Sequence, residues 1–125
     1  AVQAVNAAPY YAAWSVDSAT PIAIDASHTI ADGIASSRPI RLREVFMALR
    51  ETDGDIVAVT EDEIEASLKA LCQKGLFVEP TTAAGAAGLK ILFEDGSIGH
   101  NEKVVLILTG SGLKAVDTIA GALKL

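Results

Sequence analysis

Apolar and polar positions alternate along the chain in two distinct rhythms. Leu42, Val45, Phe46 and Leu49 fall at i, i+3, i+4 and i+7, so one stripe of a helix opening near Arg38-Pro39 is apolar, while Arg41, Arg43, Glu44 and Arg50 take its other faces. Ile64, Leu68, Leu71 and Cys72 repeat that spacing over a second helix. Its start is a capping box: the Thr60 hydroxyl can accept the N–H three residues on, and Glu63 can reach back. Lys74-Gly75 is its stop signal. Between these helices and after them stand short unbroken apolar runs, Ile56–Val59, Leu76–Val78 and Val104–Leu108. Runs of this length read as strands buried on both faces, which need helices on either side.

The remaining segments extend the alternation. Residues 1–5 are compatible with a strand, and Pro9 suits the first position of a short helix over Tyr10–Val16. Residues 17–38 are irregular, with Pro21, Asp25, Ser27, Asp32, Gly33, Ser36 and Ser37 giving turn chemistry. A helix from Ala83 to Phe93, with Thr81 or Thr82 as its cap, is small at its start and large at its end. Leu113–Leu125 forms a last helix, with Val116, Ile119, Ala120 and Leu123 on one side. Strands alternating with helices imply an α/β fold, a mostly parallel sheet flanked by helices with right-handed crossovers.

Composition narrows the picture. The 125 residues make one domain (1–125), and half of them are hydrophobic, enough for a core built from Ala, Val, Ile and Leu. A net charge of −6 argues against nucleic acid and against an anionic membrane surface. No stretch approaches the roughly 20 apolar residues of a membrane span. A lone Cys72 fits a reducing, cytoplasmic setting. The opening Ala1-Val2-Gln3-Ala4-Val5 reads as a piece cut from a longer chain. Surfaces exposed by such a cut favour a homo-oligomer, with residues 17–38 as a candidate swapped segment.

Few residues offer chemistry. Ser/His/Asp arrangements, Cys-x-x-Cys, metal-spaced histidines and nucleotide fingerprints are all missing, so no catalytic residue and no metal site is assigned. His28 reads as a solvated loop histidine and Cys72 as packing. The seven acids and no base between Glu51 and Glu65 read as a solvated loop and helix start. In open α/β sheets, ligands bind outside the carboxyl ends of the strands. Glu79 and Thr109 stand at two such ends and would face one crevice if those strands are neighbours. The glycines after Thr109 let the backbone turn or approach a ligand. By residues alone, the same stretch reads first as a buried strand followed by an ordinary glycine turn.

Three segments then carry a resemblance. They are Thr29-Ile30-Ala31-Asp32-Gly33-Ile34 with Arg38-Pro39; Phe77-Val78-Glu79-Pro80-Thr81-Thr82-Ala83-Ala84; and Leu108-Thr109-Gly110-Ser111-Gly112-Leu113-Lys114. In this order they resemble the C-terminal third of the threonine synthase family, among the fold-type-II (tryptophan-synthase-β-like) enzymes that use pyridoxal phosphate (PLP). Ser111 stands where the family commonly has His. The resemblance implies part of the large domain of such an enzyme. It implies that Thr109 bonds the pyridine nitrogen of the cofactor, that Gly110 lets the ring lie close, and that Glu79 borders it. It places the Schiff-base lysine far N-terminal, in a Ser-Phe-Lys-Asp-like context that none of Lys69, Lys74, Lys90, Lys103, Lys114 and Lys124 shares. The glycine-rich phosphate loop is likewise missing. The implied function is one wall of the PLP site of a lyase making threonine from O-phosphohomoserine, inert by itself and without PLP unless joined to the N-terminal part of a parent enzyme. Two alternatives remain: a serine/threonine dehydratase of the same fold type, and a non-catalytic regulatory or winged-helix module formed by Leu42–Leu49, Thr60–Lys74 and Leu76–Val78.

Overall fold

The computed structural model describes residues 1–124. Two strands, β1 (Val2–Ala4) and β2 (Val57–Val59), and five helices, α1 (Pro9–Trp14), α2 (Leu42–Glu51), α3 (Glu61–Gln73), α4 (Pro80–Glu94) and α5 (Val116–Leu123), are joined by three short 3₁₀ turns. The fold is α/β. The strands pair in parallel, Val2 opposite Val57, Gln3 opposite Ala58 and Ala4 opposite Val59. Helix α4 lies on both strands, and α3 packs along α4.

Small side chains at the start of α4 allow the close approach. Ala83, Ala84 and Ala87 join Ala4, Val59, Ile64, Leu68, Val78 and Ile119 in the main core. A smaller core gathers Ala13, Leu42, Phe46 and Ile56, with the Trp14 ring edge-on to Phe46 at 5.0 Å. The buried stripes of α2 and α3 are those the spacing predicts. On α5, Ile119 is buried but Val116 is exposed, so its inward side is narrower than expected. The last residue of that expected helix, Leu125, lies outside the described residues.

The capping box forms as read. The Glu63 N–H donates to Thr60 Oγ1 at 3.3 Å, and the Thr60 N–H donates to Glu63 Oε2 at 2.7 Å. These bonds favour the carboxylate and hold the Glu63 pKa below its ordinary 4.5. A depressed pKa stabilises the fold above the unfolded value and loses that contribution as pH falls through the folded one. Thr60→Ala is expected to cost about 1 kcal/mol in urea unfolding at neutral pH, and the gap to the parent should shrink as the pH is lowered below 4.5.

Two expected strands are not formed. Val78 makes a single antiparallel bridge with Ser111, and Leu76 and Phe77 are exposed. Val104–Leu108 runs without a ladder, with Val105 87% and Ile107 74% exposed. A strand needs a neighbour to take its N–H and C=O groups, and among the described residues none lies beside this run. With Leu76–Val78 not a strand, the wing of a winged helix is missing, and the parallel β1–β2 pair is foreign to that motif. The cap of α4 also differs: the helix begins at Pro80 with Glu79 as its N-cap, not at Thr81 or Thr82. Pro80 has the φ for a first helical position, and its missing N–H would have had no partner there.

Candidate functional site

The three motif segments meet at the start of α4. The Glu79 N–H donates to the Gly110 carbonyl at 3.2 Å, and the Gly112 N–H donates to the Phe77 carbonyl at 3.0 Å. These bonds clasp residues 110–112 against 77–79 and fix where Thr109 sits. Glycine leaves room at the clasp for the side chains of Glu79 and Phe77. A Cβ on Gly110 would overlap the Glu79 carboxylate, and one on Gly112 would lie 2.9 Å from the Phe77 ring. The structure thus brings Glu79, Thr109 and Gly110 together, through an antiparallel bridge rather than neighbouring parallel strands.

Thr82, a cap candidate by its sequence, is instead the link between these segments. As the third residue of α4 it is 97% buried (3% exposed). Its Oγ1 accepts the Gly110 N–H at 3.0 Å and lies 3.1 Å from Thr109 Oγ1 and 3.4 Å from the Gly110 carbonyl. Thr109 itself is exposed. The residue thus stands at the surface, with its hydroxyl against the hydroxyl of buried Thr82. The available signal was Pro80: once it fixes the first helical position, Thr82 falls on the inward side of the first turn.

The irregular segment is tied to the same place. The Gly33 N–H donates to Thr81 Oγ1 at 3.1 Å, and a Cβ on Gly33 would sit 2.8 Å from that oxygen. The Ile30 N–H donates to Glu61 Oε2 at 2.9 Å, and the Asn6 side-chain amide donates to the His28 carbonyl at 2.6 Å. Glu61 is thus no purely solvated acid, since it anchors this segment. The His28 residue is exposed, as expected of a loop histidine. Cys72 is half-buried on α3, beside the core. No cluster of metal-ligating side chains occurs among the described residues, nor is any helix long and apolar enough to cross a membrane.

Chemically, the cluster offers a surface hydroxyl able to donate or accept, a side-chain-free residue next to it, and a carboxylate over that residue.

Comparison with known proteins gives a consistent set. Residues 1–110 match the family model described as pyridoxal-phosphate dependent enzyme. The chain is 38% identical over 117 residues to threonine synthase of Methanocaldococcus jannaschii, covering 93% of this chain and 29% of that protein. It is 40% identical over 92 residues to threonine synthase of Methanosarcina acetivorans, covering 73% of this chain and 23% of that protein. The structure is similar to serine racemase from Dictyostelium discoideum, with a TM-score of 0.62 at 27% identity over 86% of this chain and 33% of that one. The chain thus spans less than a third of the length of these curated relatives.

Proposed function

The chain belongs to the pyridoxal-phosphate-dependent enzyme family, and on that premise we propose that it forms one wall of the cofactor site of a threonine-synthase-like lyase, which converts O-phosphohomoserine to threonine and phosphate. The observation that supports this reading is exposed Thr109, beside side-chain-free Gly110 and with its hydroxyl backed by buried Thr82. The residues at that end suit a pyridine ring: Thr109 would offer a neutral hydroxyl to its nitrogen and Gly110 adds no side chain, while the Glu79 carboxylate, which fills the space over Gly110, would swing aside as the flexible end of its side chain. When bound, PLP supplies an electron sink for negative charge developing on substrate carbon, and contacts to its ring nitrogen tune that capacity. A neutral Thr109 hydroxyl can hydrogen-bond the nitrogen but cannot hold it protonated as a carboxylate would. Glu79, its backbone fixed by the Gly110 carbonyl, borders the ring.

None of the lysines has the sequence context of the family's anchoring amine, and no glycine-rich phosphate loop stands in the sequence. On this reading they come from the remaining length of the parent enzyme. Its contact also covers the exposed run Val104–Leu108.

A second reading, a dehydratase-like enzyme, draws on the likeness to serine racemase. One assay separates them. The intact protein that carries this chain, loaded with PLP, is expected to release phosphate from O-phosphohomoserine; release of a 2-oxo acid from threonine without that activity would favour the dehydratase. The isolated chain in the same assay is expected to release no phosphate, to show no imine absorbance band with PLP, and to associate in light scattering. A band or turnover would contradict the wall-only reading, and a clean monomer at high concentration would contradict the expected association.

A further inference from the structure

We propose that Thr82 is a positioning residue that holds the Thr109 hydroxyl as a hydrogen-bond donor facing the site. This rests on the reading of Thr109 as the partner of the ring nitrogen.

A threonine hydroxyl has one proton and two lone pairs. One lone pair of Thr82 is committed to the Gly110 N–H at 3.0 Å. Two arrangements remain. In the first, Thr109 donates to Thr82, and Thr82 donates to the Gly110 carbonyl over 3.4 Å. Thr109 then presents only lone pairs to the site. In the second, Thr82 donates to Thr109 Oγ1 over the shorter 3.1 Å, and the Thr109 proton is free to point outward.

The second arrangement leaves no group wanting. The Gly110 carbonyl already accepts the Glu79 N–H at 3.2 Å, so it does not depend on Thr82. Thr82 is buried, which keeps water from competing for its proton. An unprotonated pyridine nitrogen is an acceptor only, so it selects this arrangement. Thr82 also fixes the height of Thr109 through its bond to the next residue's N–H, and position and proton direction are set by one oxygen.

The test uses the intact protein loaded with PLP carrying nitrogen-15 in the ring, with the ring-nitrogen resonance read by NMR. Thr82→Val keeps the volume and removes the hydroxyl. It should move the resonance toward that of a nitrogen without a donor, in the direction given by Thr109→Val, and weaken PLP binding by about fivefold, the size expected for one net hydrogen bond. Thr82→Ser, which keeps the hydroxyl, should return both to parental values. Should valine prevent folding, Thr82→Ala gives the same comparison without adding a methyl group. A parental resonance in the Thr82 variants while Thr109→Val shifts it would overturn the proposal and leave the Thr109 contact standing. A parental resonance in Thr109→Val would overturn both.

Discussion

Gly88→Val is expected to lower the unfolding free energy by about 3 kcal/mol, the upper range for forcing bulk into a packed core. A Cβ at Gly88 would come within 2.5 Å of Val2 Cγ2 and 3.0 Å of Val57 Cγ2. Those two valines are register partners in the β1–β2 pair, so the added atoms would press on the middle layer of the fold. Both are β-branched and have little rotamer freedom with which to retreat. Helix α4 would have to lift from the sheet, and with it Glu79 and Thr82 at its first turn. Because a domain of this size is stable by only about 5–15 kcal/mol, the effect is a large share of the total. Gly121→Ala on α5 is the control. Nothing lies within 4 Å of a Cβ there, and the helix should gain up to about 1 kcal/mol from the exchange. Urea midpoints at unchanged slope measure both. An unshifted midpoint for Gly88→Val would mean that α4 does not rest on the strands as described.

The second large effect falls on the cofactor rather than on the fold. Thr109→Val in the intact, PLP-loaded protein is expected to weaken cofactor binding and slow turnover, each by about tenfold, the loss of one well-made hydrogen bond. Thr109 is exposed, and Thr82 can turn its proton to the Gly110 carbonyl at 3.4 Å, so stability should fall by no more than about 1 kcal/mol, the net worth of one hydrogen bond. Thr109→Ser should behave like the parent. Loss of stability in step with loss of binding would instead make Thr109 a packing residue. PLP titration followed by its absorbance, beside urea unfolding, separates the two.

What could be read from the sequence was whatever neighbouring residues decide among themselves. Thr60 with Glu63, Pro9 at the head of α1, and Lys74-Gly75 at the end of α3 all act within one helical turn, and they stand as expected. The stripes of α2 and α3 were legible because burial repeats with the helix period. Val104–Leu108 misled because an apolar run reports a wish for burial and says nothing of a partner for its backbone. Leu76–Val78 failed for a related reason: one bridge to Ser111 takes the place of a ladder. Glu79 and Thr109 stand at the ends of apolar runs and would face one crevice if those runs were neighbouring strands; the chain does bring the two ends together, but through the Glu79 N–H to Gly110 carbonyl bond and an antiparallel bridge. Thr82 reads locally as a cap, whereas its partners Thr109 and Gly110 lie 27 and 28 residues away. The grip of Thr81 on Gly33 and of Glu61 on Ile30 spans 48 and 31 residues. No local pattern encodes such contacts.

A crystal structure of the intact protein with PLP bound tests the central claim most directly. The account predicts the ring nitrogen at hydrogen-bond distance from Thr109 Oγ1, roughly 2.7–3.1 Å, with Thr82 still against Thr109 and the ring face over Gly110. A nitrogen met by a carboxylate or by another residue, with Thr109 turned to solvent, would contradict it.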